Sequence, residues 1–139
     1  MTATTFGRTA QANRYRDDAL ATASPAALLV MLYDRLVLDL QRAEQAQRTG
    51  DRQTAHTNLV HAQDIVAELQ SSLKVDAWEG AAGLSGLYTW LRSELVATNL
   101  SGDAERTAAC RVDIVEPLAE AWREAALQHL SGASSAGVA

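Results

Sequence analysis

Ala23-Ser24-Pro25-Ala26-Ala27-Leu28-Leu29-Val30-Met31-Leu32-Tyr33-Asp34 is the stretch on which the reading of this chain turns. Ser24 offers its hydroxyl to the free N–H groups of a helix start. Pro25 suits the first helical position, where its missing N–H costs nothing. From Ala26 to Tyr33 the run is apolar on every side. A helix packed on one face needs only an apolar stripe. This helix therefore either lies in the middle of a larger assembly or keeps one face for a partner.

Outward from that start, helix one is expected over Pro25 to about Arg48, ended by Thr49-Gly50 with Gly50 in the left-handed C-terminal position. Leu28, Leu32, Leu36, Leu40 and Ala43 form its stripe, widened by Leu29, Tyr33, Val37 and Leu38. Asp51 caps helix two, which reaches about Leu73 with a heptad seam of Ala55, Leu59, Ala62, Val66, Leu69 and Leu73. Val60 and Ile65 lie off that seam. The connection Val75-Asp76-Ala77-Trp78-Glu79-Gly80-Ala81-Ala82-Gly83 breaks the pattern.

Helix three is expected from about Leu84 to Asn99, with Leu84, Leu87, Tyr88, Leu91 and Leu95 inward and Trp90 and Val96 elsewhere. Helix four follows from about Ala104 to Leu130, with Ala108, Val112, Val115, Leu118, Trp122, Ala125 and Leu130 inward. Pro117 removes a backbone hydrogen bond and clashes with the preceding turn, at a cost of roughly 3 kcal/mol, which predicts a kink or break near Val115-Glu116.

Four amphipathic segments on short connections specify an all-α, antiparallel up-down four-helix bundle. Its expected organisation is a flexible, mobile N-terminal arm over residues 1–22, the bundle over 23–130 and a disordered tail over 131–139. Phe6 and Tyr15 are aromatics stranded in the polar arm. At 139 residues and 47% hydrophobic content, one domain with a real core is expected.

Twelve basic residues against 17 acidic ones, net −5, weigh against nucleic acid or an anionic membrane surface as partner. No run of about 18 apolar residues occurs, so membrane insertion is not expected, and no signal-like segment opens the chain. A lone cysteine, Cys110, fits a reducing cytosol and a core position.

Catalytic machinery is not legible. Di-iron bundles need Glu-x-x-His on two helices, and this motif is absent. His61 and Asp64 share a face while His56 points elsewhere, which reads as a solvated surface rather than a metal site. Asp34 and Asp39 interrupt the apolar flow of helix one, and Asp34 reads as a surface residue. Trp78-Glu79-Gly80-Ala81-Ala82-Gly83 lacks the Gly-Lys-Ser/Thr ending of a phosphate loop. The expectation is a non-enzyme with no cofactor, no metal and no catalytic residue.

Several short motifs then fall in a familiar order: Asn13-Arg14-Tyr15, Thr22-Ala23-Ser24-Pro25, Leu28-Leu29-Val30-Met31-Leu32-Tyr33-Asp34, Ala62-Gln63-Asp64-Ile65-Val66-Ala67-Glu68-Leu69, Leu87-Tyr88-Thr89-Trp90 and Leu118-Ala119-Glu120-Ala121-Trp122. In these the chain resembles the FliS family, flagellin-specific export chaperones of bacterial flagella, over about residues 12–125. It departs from the family where glycines are spread across Glu79-Gly80-Ala81-Ala82-Gly83, and where Trp90 replaces the usual Tyr.

The resemblance implies a cytosolic chaperone that binds the C-terminal helical region of flagellin, prevents premature polymerisation and helps deliver it to the flagellar type III export apparatus. A component of the export gate is a further implied partner. A groove that takes amphipathic helices competes with self-assembly by occupying the same face. The apolar residues not assigned to the core, Leu29, Tyr33, Ile65, Tyr88 and Trp90, are the expected flagellin-binding groove, and Tyr15 the expected N-terminal lid. Met31, Leu32, Leu36, Leu69, Leu91 and Trp122 read as core instead. The alternative reading is a structural bundle that spends its surplus apolar face on homodimerisation.

Overall fold

The computed structural model describes residues 24–138, and side chains as far as Gln128. The expected arm and its Tyr15 lie outside the described residues. Helix α1 spans Pro25–Arg48, α2 Arg52–Ser72 and α3 Ala81–Ser101. The fourth rod is built in three sections: α4 (Ala104–Ala109), a π-helical turn (Cys110–Val115) and α5 (Glu116–Val138).

Local chemistry sets the ends. Ser24 Oγ accepts from the Ala27 N–H at 3.1 Å with Pro25 behind it, as its sequence position predicts. Asp51 and Asp103 do the same for α2 and α4, accepting from Thr54 N–H at 3.1 Å and Arg106 N–H at 3.2 Å. Gly50 and Gly102 carry φ of +76° and +70° and reverse the chain where a side chain would be strained.

The rods run antiparallel. α1 packs along α2 on one side and along the fourth rod on the other, and α2 packs along α3. The ring does not close evenly: among the described residues α3 meets the fourth rod chiefly through α4 and the π turn. Leu36 and Leu40 of α1, Leu59 and Val66 of α2, Leu91 and Leu95 of α3 and Val115 of the π turn form the sealed core. The heptad seam of α2 is buried as expected, apart from the half-buried Leu73. Off that seam, Ile65 is also buried and Val60 is exposed. Met31, expected inside, is 46% exposed, while Leu32 and Trp122 are half-buried.

Three expectations need correction. α3 begins at Ala81 rather than near Leu84. Ala81 is fully buried, and that burial offsets the cost of Gly83 in the second position after it, about 1 kcal/mol. Next to Pro117 the helix changes geometry where a kink or break was expected: the preceding turn widens into π geometry, with the Glu116 N–H reaching back five residues to Arg111 O, and the rod continues. The wider turn also shifts the buried positions. Thr107, Cys110, Val115 and Ala119 face the core, and Val112, expected inward, is 48% exposed. Finally, α5 stays helical to Val138, past the expected end at Leu130. Its last segment holds alanines, serines and glycines without a proline, so nothing in it forbids helix.

Candidate functional site

The end of the bundle that holds the start of α1, the end of α2 and the start of α3 is open among the described residues, where α3 has little contact with α5. A largely apolar cavity of about 250 Å³ lies there. Leu29 comes from α1, Leu69 and Leu73 from the end of α2, Leu84 and Tyr88 from α3, Trp122 from α5 and Trp78 from the α2–α3 connection. Lys74 is its one cationic lining residue.

Beneath the cavity the Tyr33 and Tyr88 hydroxyls meet at 2.5 Å, both side chains sealed from solvent. Burial pushes both phenols above their ordinary value. For Tyr33, its neighbours Tyr88 and Trp122 pull the other way; for Tyr88, the Tyr33 contact adds to the rise. Both stay neutral at physiological pH, so the floor carries a satisfied hydrogen bond and no charge. A desolvated, uncharged floor with leucine and tryptophan walls suits apolar groups.

The opposite end is of a different make. Thr98 Oγ1 donates to Asp103 O at 2.6 Å and sits 2.8 Å from Thr107 Oγ1. Thr107 donates to Gln47 Oε1 at 2.7 Å, and Gln47 Nε2 returns a bond to Thr98 O at 3.1 Å. Outside this lattice, Glu44 accepts from Arg111 at 2.8 Å and from Arg48 at 3.0 Å, and Arg106 grips Glu94 through two nitrogens. Those arginines, Arg111 foremost for Glu44 and Arg106 for Glu94, hold both carboxyls below their ordinary range.

Sequence reasoning missed a buried acid. Asp39 is fully enclosed, with Arg35 Nε at 3.1 Å and the His61 ring against its other oxygen. His61 is therefore more than the solvated surface residue expected of it: it ties α2 to α1. Among the described residues no three His, Cys, Asp or Glu side chains gather as a metal site. Burial raises the Cys110 thiol to about 11, which leaves it inert at neutral pH.

The five expected groove residues do not form one surface. Leu29 and Tyr88 line the cavity together, and Tyr33 lies under it against Tyr88. Ile65 is buried in the core. Trp90 is 48% exposed and is not part of the cavity lining. It is two residues beyond Tyr88 on the same helix, so it projects to another side. Trp78, Leu69, Leu73, Leu84 and Trp122 line the cavity without having been expected there. A tryptophan between charged residues and glycine in a connection was the available signal for Trp78.

The family model described as "Flagellar protein FliS" matches residues 8–129. The chain belongs to this family. It is 29% identical over 111 residues to the flagellar secretion chaperone FliS of Bacillus subtilis, covering 80% of this chain and 82% of the relative. It is 31% identical over 113 residues to the flagellar secretion chaperone FliS of Campylobacter jejuni, covering 81% and 88%. The FliS resemblance read from the motifs is thus borne out, and the all-helical bundle agrees with it. No described helix is long and apolar enough to cross a membrane.

Proposed function

We propose that this FliS family member acts in the cytosol as a flagellar export chaperone. It binds the C-terminal helical region of flagellin, holds it from polymerising and helps deliver it to the flagellar type III export apparatus, where a gate component receives the complex. The carrying observation is the apolar cavity at the open end of the bundle, on a chain related to flagellar secretion chaperones. An amphipathic client helix lays its apolar face into such a groove and hides the surface it would otherwise use for self-assembly. Ordering that client costs about 2–5 kcal/mol, so the contact extends along α3 and α5 beyond the cavity itself.

The test is a titration of the full chain with a synthetic peptide of the flagellin C-terminal segment. A defined complex on a sizing column and a change in tryptophan emission are expected. Leu29→Asp and Leu84→Asp, which place a charge on the cavity wall, abolish both. A peptide that leaves elution and emission unchanged overturns the reading. The lid role of Tyr15 is tested by deleting residues 1–16: unchanged client affinity removes it.

The exposed apolar side chains Trp90, Val96 and Leu100 on α3, the last 76% exposed, favour a second reading in which this helix pairs with another copy of the chain. A stable dimer that ignores the peptide supports that reading against the first.

A further inference from the structure

One wall of the open-end cavity belongs to no helix. Trp78 lies in the connection between α2 and α3, where residues 74–80 are all exposed, and its own side chain is 48% exposed while lining the cavity. Gly80 explains how it is held there. A Cβ on Gly80 would stand 2.1 Å from Trp78 Cζ3, 2.8 Å from Cε3 and 2.9 Å from Cη2. The indole therefore lies against the bare glycine, and any side chain at position 80 displaces it.

Backbone conformation does not account for that glycine. Its φ is −81°, in the right-handed region open to every residue. Gly80 is the N-cap of α3, a position glycine fills well though it supplies no side-chain hydrogen bond. What glycine alone allows here is the seating of the Trp78 indole against it.

The cavity that Trp78 helps to close, at about 250 Å³, is smaller than the roughly 300–1,000 Å³ of small-molecule sites. Its remaining walls are mostly leucine and aromatic. We infer that Trp78, seated on Gly80, is a specificity-determining wall of the client site, and that the cavity accepts a single bulky apolar side chain (leucine, methionine or phenylalanine) from the client's helical segment. This rests on the chaperone reading and names what that site selects.

The experiment uses the full chain labelled with 5-fluorotryptophan. Its three tryptophans give three fluorine signals, assigned with single Trp→Phe variants. The flagellin C-terminal peptide is the probe, together with versions in which each bulky apolar residue is changed to Ala.

The peptide moves the Trp78 signal. Trp78→Ala weakens peptide binding roughly five- to thirtyfold with an unchanged melting temperature, as expected of a tryptophan anchor. Gly80→Ala moves the Trp78 signal in the free protein and weakens binding by a smaller factor. The loss from Trp78→Ala disappears for one Ala-substituted peptide only, the one lacking the side chain that fills the cavity.

Normal peptide binding by both Trp78→Ala and Gly80→Ala overturns this inference and leaves the chaperone reading standing. Failure of the unaltered chain to bind the peptide sinks both. A Trp78 signal that responds to protein concentration but not to peptide gives the cavity to a second copy. One that responds to Tyr15→Ala but not to peptide gives it to the chain's own N-terminal residues. Either result overturns the inference.

Discussion

The two ends of this bundle differ in what fills their interiors: a hydrogen-bonded polar lattice at one, an apolar cavity at the other. Around the α1–α2 and α3–α4 turns, Thr98, Thr107 and Gln47 interlock three helices through directed hydrogen bonds, and arginine–glutamate pairs clasp the outside. At the other end the interior is apolar over one buried hydroxyl pair, while on the outside Gln70 donates to Ser85 O at 3.1 Å and to Thr89 Oγ1 at 2.7 Å and Arg123 pairs with Asp34. Directed bonds fix a geometry because each unmade partner costs its desolvation. Apolar contact has no direction, so one greasy surface can be exchanged for another. The locked end keeps the helices aligned, and the open end leaves an apolar cavity uncovered.

Substitutions at each end should separate these roles. The largest effect is expected from Leu95→Ala in the sealed core of α3. It should lower unfolding free energy by about 2–5 kcal/mol in a urea titration. Thr107→Val should follow, at about 1–3 kcal/mol, because Thr98 and Gln47 lose a buried partner while the shape is kept. Client affinity measured on the still-folded fraction should stay unchanged in both. An affinity that falls in step with stability would dissolve the division between the ends.

Tyr88→Phe, at the open end, should cost somewhat less within the same range of about 1–3 kcal/mol, since one buried group, the Tyr33 hydroxyl, loses its partner rather than two. Its effect on peptide binding should exceed that of Thr107→Val. The smallest change expected is with acid. Glu44 and Glu94 have lowered folded values, so their contribution is complete above the ordinary carboxylate range, near pH 4. It drains away as pH falls through those lowered values. Amide exchange between pH 5 and 3 should therefore rise first at the locked end, and Glu44→Gln with Glu94→Gln should flatten that response.

Much of this was legible beforehand, and the failures are instructive. Ser24-Pro25, Asp51 and Gly50 mark helix ends through bonds within a few residues, so those boundaries read directly. The α2 seam read correctly because an uninterrupted helix keeps one period over its whole length. On the fourth rod the same reasoning misplaced Val112, because a single π turn before Pro117 resets the phase and no local pattern announces it. Asp39 escaped because its burial depends on Arg35 and on His61, which lies on another helix. The candidate site was half legible: Leu29, Tyr33 and Tyr88 cluster at the cavity, whereas Ile65 and Trp90 lie elsewhere.

Sequence alone determined the helical bundle, the starts of α1, α2 and α4 and the kinship with flagellar chaperones, since capping, periodicity and motif order all act along the chain. Only the tertiary structure decided which apolar side chains meet at an opening and that Trp78 rests on Gly80. Those facts depend on how the helices pack at the open end and on how a connection folds back. Both are set by packing between segments distant along the chain, where residue pattern carries no distance.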